Sequence, residues 1–422
     1  MMFTSIIGTL TSLLPKTFIF GSYMPVLIFS FINLALVYVF SAWSRSGIEF
    51  WFGKNPTLSI AVAFVTTVVL AYVLAAVNDS MREFLEGKYL PAFLEQPLCD
   101  EQRALRIKLA DRYASARSQR YSLAEDVELW QEHLRDASAG TYTPPPRRTA
   151  FTGNPMETTR TMVAAGALGK ILHGPLPPEK FDELRAHVEL AVEQLVELFV
   201  NARSIANADE KRRRQRKLEG KRSDLLVRIG AILNSMSELE YQTGADLFMR
   251  FGNDPVRPTG MGNIAAAIHA YSIGRYKMEL TVFISRLQTV LVRNGDKGYP
   301  IVLDAKAQLD FLIACCWFSG FTTVFWTVSL AISGGNLWTY FITAFGGLLV
   351  TSAFYLGASQ NYLSYAEVVR ASVDVNRFTL LRELDVRLPR SLREERMLWA
   401  TMNQLAFSGG DSTEFSYEHA KK

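Results

Sequence analysis

The residues with the strongest claim to chemistry form one basic run, Lys211, Arg212, Arg213, Arg214, Arg216 and Lys217, with Lys221 and Arg222 just beyond it. Near an anionic surface each such side chain contributes on the order of 1 kcal/mol, so the run is a candidate site for acidic lipid headgroups or nucleic acid. The competing account is a solvated helix-hairpin tip that keeps the chain soluble. That account is preferred here, and nucleic acid is disfavoured as a partner. His133, His173, His187, His269 and His419 are scattered, with no pair four residues apart and no cysteine nearby, so no metal site is expected. Cys99, Cys315 and Cys316 give no disulfide framework, because two adjacent residues in one span cannot bridge comfortably and the third is distant in sequence. A reducing, cytosolic face for the polar part fits them. Gly166-Ala167-Leu168-Gly169-Lys170-Ile171 lacks the spacing and the Ser/Thr of a phosphate loop, and Gly260-x-Gly262 lacks a preceding strand. Both read as helix caps and close helix contacts. With no activated nucleophile and no paired carboxylates, the expectation is a protein that is not an enzyme and holds no cofactor.

The elements that must carry these residues are dominated by four apolar blocks. From Phe311 to Ala366 no side chain is charged, and Ser333-Gly334-Gly335-Asn336 breaks this stretch into two segments of roughly 20 residues, each long enough to cross a hydrocarbon core. The expected spans are about 311–332 and 337–357. Thr17 to Ser44 is likewise uncharged between Lys16 and Arg45, and a further uncharged block follows, giving spans at about 19–42 and 58–77 within 18–78. Overall, 49% hydrophobic and 20% charged residues describe an ordinary soluble chain, but that mean averages two unlike parts. Residues 1–17 place Phe3, Ile6, Ile7, Leu10, Leu13 and Leu14 at helical spacing, which reads as an interfacial amphipathic helix or as an extension of the first span. No basic region precedes it and no cleavage signal follows the apolar block, so a removed signal peptide is not expected. Trp43, Phe50, Trp51 and Phe52 predict a loop that hugs the membrane. Small residues mark faces for close helix approach, by lipid-embedded packing within the subunit or between subunits: Ala71 with Ala75, Gly347 with Thr351, and Ala353 with Gly357.

Between the spans, residues 79–310 predict a helical cytosolic domain without a sheet. Asn78, Asp79 and Ser80 are expected to cap a helix leaving the membrane, and a second helix covers roughly 100–137. A flexible loop follows from Ala139 to Pro155, then a short helix at 157–173. Phe181, Leu184, Val188, Ala191, Leu195, Leu198, Ala202 and Ile205 form one packing seam, and Leu225, Ile229, Ile232, Met236 and Leu239 form a second, predicting a long helical hairpin over about 180–250. A turn-rich connector at 253–263 leads to helices at about 263–295 and 303–310. Past the fourth span the helix is expected to continue into the C-terminal helices at 359–407, ahead of a disordered tail at 408–422. An even number of spans puts both termini on one side. The weak basic bias of Arg82, Lys88, Arg370 and Arg377 against Arg45 and Lys54 puts that side in the cytoplasm.

The stretch after the last span, Tyr365-Ala366-x-x-Val369-Arg370-Ala371-x-x-Asp374-x-Asn376-Arg377-Phe378-x-Leu380-Leu381, then Pro389, Glu394-Glu395 and Leu398-Trp399, resembles an uncharacterised family of bacterial four-span membrane proteins. Thr259-x-x-Gly262-Asn263 with Tyr276 and Ser285-Arg286-Leu287, and the exit from the second span at Asn78 to Pro91, are similar to it as well. The resemblance implies the membrane frame and a bacterial inner membrane, and no activity. Asp374 and Arg377 stand three apart on a helix and are expected to pair.

The fold class expected is therefore all-α, with four transmembrane helices, two N-terminal and two C-terminal, around a helical cytosolic domain. The spans hold no ionisable residue, and Asn33 is their strongly polar one, which disfavours an ion-coupled transporter. A membrane-anchored scaffold or sensor is expected, with membrane lipids, a second copy of the chain and a protein partner bound through the cytosolic helices as its partners. The alternative is a homo-oligomeric channel lined by residues such as Thr66, Thr67, Thr322 and Thr323 and gated by the cytosolic domain.

Overall fold

The computed structural model of the 422-residue chain describes residues 15–40, 56–142, 178–252, 255–293, 295, 299–334 and 336–408. The expected amphipathic helix at the N-terminus, the aromatic loop at 43–52, the loop and helix between 143 and 173 with Gly166 to Ile171, and the C-terminal tail lie outside those residues. The described residues are helical, with no strand among them. We number the helices α1 (Met24–Phe40), α2 (Pro56–Leu85), α3 (Ala92–Ala139), α4 (Pro178–Arg203), α5 (Ala208–Arg250), α6 (Gly260–Tyr276), α7 (Leu280–Arg293), α8 (Tyr299–Ile332), α9 (Leu337–Glu383) and α10 (Leu392–Ser408). Four segments are long and apolar enough to cross a membrane: Lys16–Tyr38, α2, α8 and α9.

The chain divides into two compact units, one of Met1–Arg103 with Met249–Lys422 and one of Ala104–Phe248. Residues 79–103 and 249–310 therefore pack with the apolar helices, although they share a polar composition with the second unit.

In the first unit, Lys16–Phe18 leads through a π-helical turn, Ile19–Tyr23, into α1. Pro25 follows directly; it has no N–H to donate to the preceding turn, so the backbone there has one helical bond fewer to keep and can widen. The turn is buried, and a Cβ at Gly21 would stand only 3.5 Å from Asp310 Cβ. Tyr23, Val26, Ala71, Leu74 and Ala314 join α1, α2 and α8 in one small core. Asn78, Asp79 and Ser80 do not start a new helix, because α2 runs unbroken through them to Leu85. It ends at Gly87, whose φ of +85° permits the left-handed turn in which Gly87 N–H donates to Phe84 O and Lys88 N–H to Glu83 O.

That turn is clamped by the start of α6. Thr259 caps α6, its hydroxyl accepting from Gly262 N–H at 3.0 Å, and a side chain at Gly262 would run into the Glu86 carbonyl oxygen. Asn263, 3% exposed, holds the connector together. Its Oδ1 accepts from Arg257 N–H at 2.7 Å, and its Nδ2 donates to Thr259 O at 2.9 Å, Arg257 O at 3.0 Å and Gln102 Oε1 at 3.2 Å. Asn263→Ala takes the partner from the Arg257 N–H and carbonyl, while Thr259 O keeps its bond from the residue 263 backbone N–H, and it is expected to lower stability by ~2 kcal/mol. Thermal melting of the solubilised full chain reads this, and an unchanged midpoint contradicts it.

The larger core of this unit packs α6, α7, α10, the start of α8 and the C-terminal half of α9. Met261, Phe283, Leu309, Leu380 and Trp399 all have no exposed surface, and the Phe283 and Trp399 rings meet edge to face at 5.2 Å. One helix was expected over 263–295. Lys277 instead adopts φ +64°, ends α6 and starts a fresh helix at Leu280. The expected short helix before the third span is the first three turns of α8 itself.

The second unit is a three-helix bundle, where the sequence suggested a hairpin of two. Leu123, Val127, Trp130 and Leu134 of α3 fill the seam between α4 and α5. The third helix turns the buried face of α4. Leu198 is 45% exposed and Phe199 is 4% exposed, so Phe199 points inward where Leu198 was expected to, while the expected Ala191 packs against the core beside the buried Val192. A bundle core follows the helical period of 3.6, which drifts off a strict seven-residue repeat. Arg185 Nε pairs with Asp126 Oδ2 at 2.6 Å, and Arg120 pairs with Glu240.

Candidate functional site

The polar half of α9, which continues the fourth apolar segment, carries a connected group of charged side chains. Arg370, Asp374 and Arg377 share one face of α9, spaced four and three apart. The expected pair between the last two side chains does not form. The Asp374 carboxylate instead accepts 2.7 Å hydrogen bonds from the hydroxyls of Tyr271 and Tyr276 on α6, with Arg275 Nη1 at 3.7 Å. Arg377 Nε donates to Glu395 of α10 at 2.6 Å, and its guanidinium also meets the Asp374 backbone carbonyl. Spacing along one helix brings two groups near each other, but α6 and α10 close over this face and supply better-aimed partners.

Both charges of the Arg377–Glu395 pair are desolvated, with side chains 16% and 4% exposed. The Arg377 guanidinium also lies between aromatic faces, 4.4 Å from the Tyr276 ring centre and 4.3 Å from that of Phe378. Arg370 is 7% exposed, stands 5.4 Å from the Tyr271 ring and touches the Met249 sulfur. Burial pushes its guanidinium below the usual arginine range, and its Nε and Nη2 have no acceptor.

Burial, and next the hydrogen bond to Asp374, push the Tyr276 phenol up to about 12. Tyr271 moves the same way for the same reasons. Both stay neutral donors at physiological pH. Because the folded value for Tyr276 lies above the ordinary 10.0, its contribution to stability is complete below pH about 10 and is lost as pH rises through about 12. A spectrophotometric titration of the protein minus that of Tyr276→Phe is expected to show one phenol titrating near 12; a difference step near 10 contradicts the assignment.

A second polar layer gathers where four helix ends meet. Tyr362 of α9 donates to Glu86 Oε1 at 2.7 Å, and Arg82 Nε lies 3.5 Å from the same oxygen. Trp317 Nε1 donates to Met81 O, Lys306 pairs with Asp310 at 2.7 Å, and Lys16 approaches Asp304 at 4.0 Å. The start of the first apolar segment, the exit of the second, the entrance of the third and the exit of the fourth thus meet in one layer. It stands about 18 Å along α9 from Asp374 at 1.5 Å per residue.

Within the apolar helices Asn33 joins the first and third segments. Asn33 donates from Nδ2 to Phe29 O and to Thr322 Oγ1, at 2.8 and 3.2 Å, and accepts from Trp326 Nε1 at 3.1 Å. Thr67 and Thr323 donate to their own helices at Ala63 O and Ser319 O, while Thr66 faces outward.

The small-residue faces divide. Ala71 is fully buried and Ala75 exposed. Gly347 and Thr351 lie on α8 against Thr323 and Gly320, a Cβ at Gly357 would stand 3.8 Å from Leu312, and Ala353 points outward. The basic run opens α5, with Arg212, Arg213, Arg214, Arg216 and Lys217 exposed and Lys211 half-buried; Arg214 pairs with Glu210 one turn back. Among the described residues no group of three or more His, Cys, Asp or Glu could hold a metal ion.

Asp374 and Arg377 were visible as neighbours three apart on one helix. Tyr271 and Glu395 as their partners were not, because those contacts span about a hundred residues in one case and a change of helix in the other. The site can orient and lock helices. Comparison with protein-family models, with curated proteins and with solved structures finds no match for this chain.

Proposed function

We propose that this protein is an integral scaffold or sensor of the bacterial inner membrane, with both termini and the 104–248 unit in the cytoplasm. The observation that carries the reading is α9, an unbroken helix from Leu337 to Glu383. One end lies in the expected fourth span, and the other is locked to α6 and α10 through Asp374 and Arg377. A tilt or rotation of the span reaches the polar domain without a hinge. The three-helix unit supplies a binding surface for a protein partner or a second copy. Val227, Tyr241 and Phe248 stand at multiples of seven along α5 and are 70%, 72% and 55% exposed.

The second reading, a homo-oligomeric channel, draws on the fourth span, whose apolar residues are largely uncovered within one chain. Its proposed lining weighs against it, since Thr67, Thr322 and Thr323 have partners inside the subunit. Two measurements test the pair. Reporter fusions at Pro145 and Asn336 are expected to land in opposite compartments, cytoplasmic and exterior, and co-localisation overturns the topology. The purified chain in planar bilayers is expected to give no unitary current steps; reproducible steps overturn the scaffold in favour of the channel.

A further inference from the structure

A cavity of about 500 Å³ opens where the first helical turn meets α8 and α9, lined chiefly by Lys16, Phe20, Asp304, Gln308, Phe311 and Asn361. Phe20, Phe311 and Leu312 give it an apolar floor, and the other four give it a polar rim. Its height follows from the sequence. Lys16 bounds the first uncharged segment, Phe311 begins the third, and Asn361 lies one turn past the expected end of the fourth. On the membrane-spanning reading proposed above, which this inference rests on, the cavity straddles hydrocarbon and headgroup.

The rim is charge-balanced and unfilled. Lys16 Nζ and Asp304 Oδ2 are 4.0 Å apart, too far for a hydrogen bond, and both side chains are more than half exposed, so neither charge is satisfied by the other. Asn361 Nδ2 reaches Gln308 Oε1 at 3.4 Å, so these two amides serve each other at the rim. The cavity therefore presents a cation and an anion over an apolar floor.

We infer that this cavity is a headgroup site for a zwitterionic phospholipid bearing a primary ammonium, of the phosphatidylethanolamine kind. The phosphate is drawn to Lys16. The ammonium, with three N–H donors, serves the Asp304 carboxylate, and the glycerol and first acyl methylenes lie on Phe20 and Phe311. A choline headgroup has the same charge and no N–H to give. Phosphatidylglycerol brings an anion with no cation for Asp304.

Native mass spectrometry of the detergent-solubilised full chain, with phosphatidylethanolamine, phosphatidylcholine and phosphatidylglycerol of identical acyl chains, tests this. The ethanolamine lipid is expected to bind roughly tenfold more tightly than the choline lipid, the size of effect that hydrogen bonds to a charged group carry. Asp304→Asn should lower ethanolamine-lipid binding towards the choline level, because it takes a charged hydrogen-bond acceptor from the first lipid and only a charge from the second, and an unchanged melting midpoint certifies the fold of the variant. Lys16→Gln should weaken both zwitterionic lipids alike. Equal binding of the two by the parent chain, or a preference that survives Asp304→Asn, overturns the site. Release of the chain from membranes by alkaline carbonate overturns the membrane reading instead, so the two failures are separable.

Discussion

Glu395→Ala is expected to destabilise the first unit by about 3–5 kcal/mol, the penalty of stranding one member of a desolvated ion pair. Arg377 cannot escape by losing its proton, since a guanidinium stays charged at any accessible pH. Nor can it swing to water without leaving the Tyr276 and Phe378 faces that hold it. Asp374 is no substitute partner while its carboxylate accepts from two tyrosine hydroxyls. The double variant Glu395→Leu with Arg377→Met removes both charges and is expected to recover most of the loss, because an apolar pair of similar volume can replace a buried ion pair at little cost. Melting of the solubilised full chain reads all three proteins. A Glu395→Ala protein within 1 kcal/mol of the parent would show that the pair is hydrated, and the proposed lock between α9 and α10 would fall with it.

How much of this could be read beforehand depends on the range of the interaction. The four apolar segments and the run of the fourth into a polar helix were legible because each is a local property: charge-free length and the absence of a helix breaker between Leu337 and Glu383. The faces of α4 were legible only in part. Leu198 was assigned inward because a seven-residue repeat suits two helices, and Phe199 took its place once α3 joined the bundle. Asn78 to Ser80 were read as a cap because those residue types favour caps. They lie inside α2, where Arg82 pairs with Asp79 one turn back and Glu86, just past the helix end, accepts from Tyr362. Asn263 was recognised as part of a pattern, but its four hydrogen bonds depend on the loop geometry that Gly262 permits against Glu86. No spacing rule encodes that geometry.

The fourth span offers a comparison of neighbours. A Cβ at Gly347 would fall 2.8 Å from Thr323 Cβ, an atom fixed to the α8 backbone that no rotamer change can move, and closer still to the threonine's outer atoms. At Gly346 nothing lies within 4 Å. Thr351 completes the contact, donating to Gly347 O at 2.9 Å and standing 3.6 Å from a Cβ at Gly320, so the two helices cross on small residues from both sides. Gly347→Leu must push α8 and α9 apart along this crossing, and it is expected to cost at least ~3 kcal/mol, the upper end of overpacking penalties. Gly346→Leu is expected to stay within about 0.5 kcal/mol, as substitutions facing open surroundings do. The yield of folded, solubilised chain and its melting midpoint measure both. A tolerated Gly347→Leu contradicts the hairpin register. A damaging Gly346→Leu means that this face is covered in the membrane by another helix. Trp338, Ile342, Phe345 and Leu349 lie uncovered by the described residues of one chain, so a second molecule is the expected source of that helix.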